Sequence, residues 1–330
     1  MKKALCIILL AAFVLLGGCS GEKEISFTAM DTVMTLRAEG KNAEKALEEA
    51  KKTLNELENE LSRTIEESDV SRLNAAEGEW TEVSDDAFGV ISYAVSARER
   101  TGGAFDVTVA PVMDLWNFSG GGNVPTEKEL SAALEKVGAE IELQDGRVRL
   151  STGGSIDLGG IAKGYSGDAF RKVMEENGIK SALGYLGGNV VLVGSKSDGS
   201  DWRVAVQDPQ DGGKTVGVIS ASDVSVVTSG GYERFFERDG VTYHHIIDPK
   251  TGRSSDSGLL SVTVVMEDGT MADALSTALF VMGEEKAVEH WRSYGDFAML
   301  LVTDDGRVIA TENLNFEFDG DGYVFETCEK

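Results

Sequence analysis

The sequence predicts an α+β fold with mainly antiparallel sheets flanked by helices. Helical and strand patterns alternate irregularly along the chain, and several neighbouring strands are separated by links of hairpin length. Both observations favour antiparallel pairing, because parallel strands need a long crossover between them. The 330 residues are 42% hydrophobic and 26% charged, which is typical of a globular protein rather than a disordered one.

Hydrophobic periodicity locates the individual elements. Apolar residues at three- and four-residue steps indicate helices, and alternating or short continuous apolar runs indicate strands. Helices are predicted over 42–62, 84–100, 126–137, 271–282 and 284–293, and one more follows Asp157–Gly164 and ends near Glu176. Strands are predicted over 25–39, 141–144, 147–150, 189–194, 202–207, 216–222, 241–247, 258–266, 296–303 and 307–312.

Local signals support several of these boundaries. Ser84 is a suitable N-cap for the second helix, and Thr126 lies three residues before Glu129, which is the spacing of a capping box. Asp145-Gly146 is a typical hairpin turn between two short strands. We expect one domain over 25–330, because the Gly-rich stretch 119–123 lies between ordered segments.

The N-terminus has the pattern of an export signal. Lys2 and Lys3 precede the apolar run Ala4–Leu16, which is too short to span a bilayer comfortably as a helix. The following Leu-Gly-Gly-Cys resembles a bacterial lipobox, in which Cys19 is lipidated. We therefore predict a lipoprotein signal peptide over 1–18 and a lipidated tether over 19–24. The alternative is an ordinary cleaved signal in which the cysteine is incidental.

This processing predicts where the protein resides and how its cysteines are used. The mature domain would be exported and anchored by its lipid to the outer face of the bacterial cytoplasmic membrane, or to the periplasmic side. Cys6 is removed with the signal and Cys19 carries lipid, so Cys328 remains alone. An intramolecular disulfide is then impossible.

The charge balance excludes one class of partner. Lys and Arg number 31 against 56 Asp and Glu, for a net charge of −25. Such a negative field repels phosphate backbones, so we predict no nucleic-acid binding. An anionic ligand would have to be bound by backbone N–H groups, a few cations or a metal ion.

The strongest chemical motif is Met271-Ala-Asp-Ala-Leu-Ser-Thr277. On a helix, Asp273 and Thr277 lie at i,i+4 and present two oxygens from one face. A hard cation such as Mg²⁺ accepts a carboxylate and a neutral oxygen, completed by water and phosphate. The alternative is that Asp273 stabilises the helix N-terminus while Thr277 packs through its methyl group.

A second motif is the glycine-rich segment Asp157–Tyr165. Its glycines precede a predicted helix, where backbone N–H groups suit a phosphate, although a tight strand-to-helix turn explains them equally. It matches no common nucleotide fingerprint. Lys163 within it is notable because cations are scarce in this chain.

A third motif, Tyr243–Pro249, contains two of the three histidines. Adjacent residues on a strand face opposite sides, so at most one of His244 and His245 points into a given site. A histidine beside Asp248 could act as a general base or form a buried polar pair. No Cys or third His lies nearby, which argues against zinc. His290 lies in a late predicted helix, and we interpret it as structural.

Seven segments, taken in order, resemble the ApbE family, the FAD:protein FMN transferases. They begin at Met30-Asp-Thr, Phe105-Asp-Val-Thr-Val and Asp157-Leu-Gly-Gly-Ile-Ala-Lys-Gly-Tyr, and continue with Leu186-Gly-Gly-Asn, Thr228-Ser-Gly-Gly-Tyr-Glu-Arg, His245-Ile-Ile-Asp-Pro-Lys-Thr-Gly and Ala272-Asp-Ala-Leu-Ser-Thr. Their number and order make the resemblance specific, whereas each segment alone is weak. The family's fold and its frequent lipoprotein N-terminus agree with the predictions above.

The resemblance implies roles for particular residues. Asp273 and Thr277, with the backbone carbonyl of Gly160, would hold Mg²⁺, and Ser276 would lie close by. His245 is the position that matches the family's catalytic histidine, with Asp248 able to assist. The residues implied to line the FAD site are Met30, Ala104, Phe105, Asp106, Asp157, Lys163 and Ile247.

The resemblance also implies a reaction and its partners. FMN would pass from FAD to a Ser or Thr hydroxyl of an exported acceptor protein through a phosphoester bond, and AMP would leave. Acceptors would carry a Ser/Thr flavinylation motif, as subunits of flavin-based electron-transfer complexes do. Two alternatives stay open: a FAD pyrophosphatase giving FMN and AMP, and a non-enzymatic flavin-binding lipoprotein.

Three positions depart from the family pattern. Thr64 stands where many members have an aromatic residue against the flavin, Ala110 replaces a frequent glycine, and Asn189 replaces a residue that is often acidic. We expect none of them to touch the predicted metal pair, so the reaction class should be unaffected.

Overall fold

The computed structural model describes residues 21–330, so the predicted signal peptide and Cys19 lie outside the described residues. The first strand begins at Glu22, which places part of the predicted tether 19–24 inside the folded domain. Within residues 21–330, each helix is too short or too polar to cross a membrane.

The described chain alternates helices with short strands. The helices are α1 (Ala43–Leu61), α2 (Asp69–Asn74), α3 (Asp85–Arg100), α4 (Ala110–Trp116), α5 (Glu127–Leu134), α6 (Ala162–Glu176), α7 (Gly269–Met282) and α8 (Glu284–Tyr294), with single 3₁₀ turns at Val107–Val109 and Phe118–Gly120. The first ten strands are β1 (Glu22–Ala29), β2 (Thr32–Glu39), β3 (Thr81–Glu82), β4 (Ile141–Gln144), β5 (Arg147–Leu150), β6 (Ala182–Leu186), β7 (Asn189–Val193), β8 (Trp202–Gln207), β9 (Thr215–Ala221) and β10 (Ser225–Gly230). The others are β11 (Phe235–Arg238), β12 (Val241–His244), β13 (Ile247–Asp248), β14 (Arg253–Ser254), β15 (Leu259–Met266), β16 (Ala298–Thr303), β17 (Arg307–Thr311), β18 (Phe316–Phe318) and β19 (Val324–Cys328).

A nine-stranded sheet forms the centre of the domain. Its strand order is β1-β2-β6-β7-β10-β15-β16-β17-β19, and its neighbours pair antiparallel except for β17 and β19. The described part also contains a three-stranded sheet β18-β9-β8, a second one β3-β5-β4 and two hairpin pairs, all antiparallel. The predicted α+β class with mainly antiparallel sheets is confirmed.

Both faces of the central sheet are covered, and its pleat divides the core in two. On β7, Val191 and Val193 pack into the cluster formed with the helices, whereas Val190 and Leu192 pack toward the sheet β18-β9-β8. Successive side chains on a strand point to opposite faces, so a strand buried on both sides is apolar throughout. This burial explains why β7 contains a continuous apolar run.

A smaller apolar cluster anchors the segment between α4 and α5. Trp116 is fully buried at its centre, and its indole N–H donates to the carbonyl of Gly252 at 2.7 Å. Phe118, Phe236 and Tyr243 pack around the same ring. Loops that are distant in sequence are thereby fixed at one end of the central sheet.

Two strands that were predicted as continuous are each interrupted in the structure. The predicted strand 25–39 is the hairpin β1–β2, which turns at Met30 and Asp31, both with positive φ. The predicted strand 241–247 is interrupted at His245 between β12 and β13. Neither break contains glycine or proline, which are the usual turn signals.

Candidate active site

A cavity of about 1090 Å³ opens at one end of the central sheet. The β1–β2 turn, the β6–β7 turn and the end of β10 meet there, because antiparallel neighbours bring alternate turns to the same end. Nearly all the predicted site residues line it, namely Met30, Ala104, Phe105, Asp106, Asp157, Gly160, Lys163, His245, Ile247, Asp273 and Thr277. Tertiary structure therefore unites segments more than 240 positions apart.

Close contact between α6 and α7 buries the carboxylate of Asp273. This residue is 3% exposed, and one of its oxygens accepts from the backbone N–H of Gly164 at 2.8 Å. A Cβ on Gly164 would lie 2.2 Å from the carbonyl oxygen of Gly269, so glycine is required for this approach. A second contact holds the N-terminus of α7 against α6: the Asp168 carboxylate accepts from the N–H groups of Gly269 and Thr270.

Burial raises the pKa of Asp273, whereas Lys163 and the Gly164 N–H favour its charged form. Asn189, 1% exposed, also approaches this carboxylate, although its amide atoms lack a well-formed hydrogen bond within residues 21–330. A desolvated carboxylate with incomplete compensation is stabilised by a bound cation.

Hydroxyl oxygens surround the next turn of α7. The Thr277 hydroxyl lies 3.3 Å from that of Ser229. A Cβ on Gly160 would lie 3.6 Å from the same Thr277 hydroxyl. Ser276 is fully buried, donates to the carbonyl of Asp273 at 2.9 Å and bonds with Ser229 at 2.8 Å. Thus Asp273, Thr277 and Gly160 lie together, with Ser276 behind them.

This oxygen set fits Mg²⁺ better than a softer metal. Within residues 21–330 there is no cluster of three or more His, Cys, Asp or Glu side chains arranged to hold a metal. A site of one carboxylate, one hydroxyl and one carbonyl supplies the hard ligands that Mg²⁺ prefers, and it leaves positions for water and phosphate. Asp273, Thr277 and Gly160 are the residues that would hold the ion.

Lys163 supplies positive charge beside this set. Its ammonium donates to the carbonyl of Gly187 at 3.1 Å, which fixes it at the β6–β7 turn. Glu233 also lines the cavity, and burial raises its pKa against the opposing effect of Lys163. The sequence motif contained Glu233, but no spacing signal indicated that it would face Lys163.

The glycine-rich loop uses many of its own N–H groups. Gly159 donates to the carboxylate of Asp157 at 2.8 Å, Ile161 and Ala162 donate to the carbonyl of Leu158, and Gly164 donates to Asp273. The glycine spacing predicted that these N–H groups would bind a phosphate. They already donate within the protein and are therefore not free to do so. The loop instead shapes the cavity and positions Lys163.

His245 stands at the base of the β11–β12 hairpin. Its backbone N–H donates to the carbonyl of Arg234 at 3.0 Å, and its Nδ1 lies 3.2 Å from the same oxygen. A carbonyl can only accept, so Nδ1 carries the proton and Nε2 keeps a lone pair. Burial, with Arg234 and Lys163, lowers the pKa of His245 to about 4, so the ring is neutral near pH 7.

Asp248 is directed away from the active-site cavity. Its carboxylate accepts from the backbone N–H of Lys250 at 2.9 Å and from the Thr251 hydroxyl at 3.3 Å, and it lines a second cavity. These contacts stabilise the turn after β13. The geometry therefore does not support the predicted assistance of His245 by Asp248.

The loop that contains Phe105 and Asp106 forms another part of the cavity wall. Phe105 is buried, and its ring would lie 3.1 Å from a Cβ on Gly160. The Asp106 carboxylate is occupied by the N–H and hydroxyl of Thr108, at 2.9 and 2.6 Å, and by Arg98 at 3.0 Å. Asp106 thus positions Phe105 by fixing its loop and has little capacity left to contact a ligand.

Several cavity residues were not found from the sequence. Arg63 pairs with Asp114 and, at 3.4 Å, with Asp157, which links α4 to the glycine-rich loop. Three aromatic residues, one aliphatic residue and one polar residue also line the cavity without having been assigned to it, namely Phe118, Tyr185, Tyr232, Val107 and Ser119. A lone arginine or tyrosine in a loop gives no periodic signal.

The three departures from the family pattern lie in different surroundings. Thr64 lines the cavity, and its hydroxyl contacts that of Ser62 at 3.0 Å. Ala110 is buried at the start of α4, outside the cavity lining. Asn189 approaches the Asp273 carboxylate, so the expectation that no departure touches the predicted metal pair is wrong at this position.

Comparison with known proteins agrees with this geometry. A family model described as "ApbE family" matches residues 30–301. The chain belongs to the ApbE family. It is 33% identical over 315 residues to the FAD:protein FMN transferase of Vibrio cholerae, covering 91% of this chain and 94% of that protein. It is also 36% identical over 289 residues to the enzyme of that name from Treponema pallidum, covering 82% and 80%.

Solved ApbE structures have the same fold. The ApbE protein of Thermotoga maritima matches with a TM-score of 0.83 and 33% identity, covering 88% of this chain and 97% of that one. The flavin transferase ApbE of Vibrio cholerae matches with a TM-score of 0.78 and 29% identity, covering 91% and 96%. The comparisons confirm the predicted ApbE resemblance and enzyme class.

Proposed function

We propose that this protein transfers FMN from FAD to a Ser or Thr hydroxyl of an acceptor protein in a Mg²⁺-dependent reaction that releases AMP. The observation that carries this proposal is the buried Asp273, placed with Thr277 and Lys163 in one cavity of an ApbE-family chain. The curated relatives are named for the same transfer. A chain that only stored flavin would not need this cation-binding oxygen set.

Each residue of the site has a distinct task in this proposal. Asp273 and Thr277, with the Gly160 carbonyl, would hold the ion, and Lys163 adds a fixed positive charge for the pyrophosphate. Bound Mg²⁺ would stabilise charge that develops on the phosphoryl oxygens. Met30, Phe105 and Ile247 form apolar parts of the cavity, which suit the flavin ring.

His245 is the proton acceptor that the geometry favours. Its Nε2 carries a lone pair, because Nδ1 is directed to Arg234. The acceptor hydroxyl would give its proton to Nε2 while its oxygen bonds to the FMN phosphorus. The bond from that phosphorus to the bridging oxygen breaks, and AMP leaves with this oxygen.

Mass spectrometry of the products tests the proposal. The purified protein is incubated with FAD, Mg²⁺ and a peptide that carries a Ser/Thr-Gly-Ala-Ser/Thr core. We expect a peptide heavier by one FMN unit, together with free AMP. Release of FMN and AMP with an unmodified peptide would instead show a FAD pyrophosphatase, and no AMP with any acceptor would refute both enzymatic functions.

We further propose that the domain acts outside the cytoplasm, anchored through a lipid on Cys19. The support is the sequence before the described residues, in which Lys2, Lys3 and the apolar run Ala4–Leu16 precede Leu-Gly-Gly-Cys. Replacing Cys19 with Ser should move the protein from the membrane fraction to the soluble exported fraction. Unchanged fractionation and mass would contradict lipidation.

A further inference from the structure

The first strand runs from the beginning of the described chain to the active-site cavity. β1 covers the eight residues Glu22–Ala29, and the turn that follows it, at Met30 and Asp31, lines the cavity. An extended strand advances about 3.3 Å per residue, so Glu22 lies about 26 Å from Met30. The chain therefore enters the domain at the end opposite the cavity.

Helices α1 and α6 span the same distance. α1 begins at Ala43 and ends at Leu61, which lines the cavity, and its 19 residues make a helix about 28 Å long. α6 runs the other way, from the cavity to Glu176. Its far end meets the start of α1, because the Asn42 amide donates to the Asn177 carbonyl at 3.2 Å.

Three segments meet at the end opposite the cavity, which we call the tether end: residues 21–23, 40–45 and 177–181. The Gly40 N–H donates to the Gly21 carbonyl at 3.5 Å, and the Glu39 N–H donates to the Ser181 carbonyl at 2.9 Å. The tether end contains four lysines and two glutamates, in a chain with 31 basic and 56 acidic residues. It is therefore locally basic in an acidic protein.

Two lysines of the tether end are not neutralised by a carboxylate. Lys23 pairs with Glu44 at 3.4 Å. Lys41 and Lys180 are exposed and form no ion pair within residues 21–330. Their ammonium groups are available to an anionic partner.

The exposed side of α1 has the opposite charge. Glu48, Glu49 and Glu56 are exposed along it, and Lys52 pairs with Glu56 at 3.4 Å. An anionic lipid surface would repel this side and attract the tether end. Charge therefore favours a domain that stands on its tether end over one that lies on α1.

The tether is too short to hold the domain clear of a membrane. Cys19 precedes Glu22 by three residues, and three residues of fully extended chain reach about 11 Å. The cavity lies more than twice as far from Glu22. A lipid on Cys19 would thus keep the tether end, and not the cavity, at the bilayer surface.

We infer that the tether end docks on the anionic headgroups of the membrane that holds the lipid, with Lys41 and Lys180 against the lipid phosphates, so that the cavity opens about 26 Å above the surface. The inference rests on the proposed lipidation of Cys19 and goes beyond the proposed transfer. An acceptor protein must then present its hydroxyl at this height rather than at the membrane surface.

Fluorescence quenching tests the docking surface. The protein is purified with its lipid and placed in vesicles of phosphatidylcholine and phosphatidylglycerol, in which some headgroups carry a nitroxide. A fluorophore is attached at Glu44→Cys, in the tether end, or at Glu67→Cys, an exposed position beyond the cavity end of α1, each in a Cys328→Ser background. We expect fluorescence to fall about twofold at position 44 and to stay unchanged at position 67, because docking holds only the tether end at the headgroups.

Charge reversal separates docking from anchoring. Lys41→Glu with Lys180→Glu should lower the quenching at position 44 by about half or more, while the lipid keeps the protein on the vesicles. Lys128→Glu with Lys286→Glu is the matched control, because both lysines are exposed and lie outside the tether end. This control should keep the quenching of the unaltered lysines.

These outcomes distinguish the docking surface from the anchor. Equal quenching at positions 44 and 67, or quenching that Lys41→Glu with Lys180→Glu leaves unchanged, would refute docking while the lipid anchor stands. A mass without lipid on Cys19 would refute the anchor and the docking together.

Acceptor peptides on linkers of two lengths test the height of the cavity. A peptide with the Ser/Thr-Gly-Ala-Ser/Thr core is coupled to a lipid through Gly/Ser linkers of about 4 or about 40 residues, whose mean spans are about 11 and about 35 Å. In vesicles that carry the lipidated protein, the long-linker peptide should receive FMN at least about tenfold faster, because a linker that cannot span the distance gives almost no effective concentration. The same peptides without lipid should react equally.

The linker experiment also separates the height from the activity. Equal rates for the two lipid-linked peptides would refute the height. If no peptide is modified, free peptides and intact acceptor proteins included, the proposed transfer fails, and the quenching experiment alone decides the docking.

Discussion

Gly164 and Asp273 are in direct contact across the α6–α7 interface. The backbone N–H of Gly164 donates to the Asp273 carboxylate at 2.8 Å, and a Cβ on Gly164 would lie 2.7 Å from that of Asp273. Close helix packing and the position of the Asp273 carboxylate, the proposed metal ligand, therefore depend on the same glycine.

Gly164→Ala should destabilise the protein by about 2 kcal/mol. Alanine in a helix normally gains up to about 1 kcal/mol over glycine, but here its Cβ would meet a backbone carbonyl at 2.2 Å. Urea unfolding measures the loss, and FAD turnover should fall with it. Gly213→Ala is the control, because its Cβ would lie 3.4 Å from its nearest neighbour, the Asp211 carboxylate, which is an ordinary contact distance. Equal stability of both variants would contradict the packing argument.

Asp273→Asn should lower AMP release at least about 100-fold while the fold is kept. The amide oxygen can still accept from Gly164, but it lacks the charge that a divalent cation requires. Chromatography of AMP formed from FAD at several Mg²⁺ concentrations measures the effect, and a chelator should abolish turnover of the unaltered protein. Asp268→Asn, at the N-cap of α7, is the matched control, because asparagine also caps helices well. Retained turnover in Asp273→Asn would remove the metal assignment.

His245 should give the transfer reaction an acid limb near pH 4. Its pKa is lowered to about 4, so the ring is neutral and able to accept a proton above about pH 5. Below the pKa the rate should fall about tenfold per pH unit, because the protonated ring cannot act as a base. Single-turnover rates measured where circular dichroism shows a folded protein test this limb. His245→Asn should lower the rate by about 100-fold or more and keep FAD binding, whereas His244→Asn should keep the acid limb.

The same histidine should make folding sensitive to acid. An unfolded histidine has a pKa of about 6.5, so between about pH 6.5 and pH 4 the unfolded chain binds more protons than the native one. Stability should therefore fall as the pH falls through this window. Urea midpoints at pH 7 and pH 5 should differ less in His245→Asn than in the unaltered protein. An identical difference in both proteins would show that His245 is not the responsible group.

Asp106→Asn should destabilise the protein by about 1 to 2 kcal/mol and weaken FAD binding. The change removes the charge that pairs with Arg98 at 3.0 Å and perturbs the turn that fixes Phe105. Urea unfolding and flavin fluorescence titration measure the two effects. Asp304→Asn, at an exposed position, should change neither. Weaker FAD binding with unchanged stability would indicate that Asp106 contacts the ligand directly.

Local patterns predicted helices and strands that have a clear hydrophobic pattern, whether one face or both are buried. The helix predicted over 42–62 is observed as Ala43–Leu61, and the Thr126–Glu129 capping box is present. The same patterns missed β6 and β10, which lie in the middle of the central sheet. Gly184 interrupts the apolar run of β6, and β10 ends in Thr228-Ser-Gly, so neither has a distinct periodic signal.

The sequence by itself determined the fold class, the family and the candidate residues, because periodicity, caps and ordered motifs are local properties of the chain. Only the tertiary structure decided which of these residues share a cavity. In the folded chain His245 contacts the carbonyl of Arg234, and Asp248 is directed away from the active-site cavity. Asp106 forms an ion pair with Arg98. Those outcomes depend on contacts between segments far apart in sequence, and no local pattern encodes them.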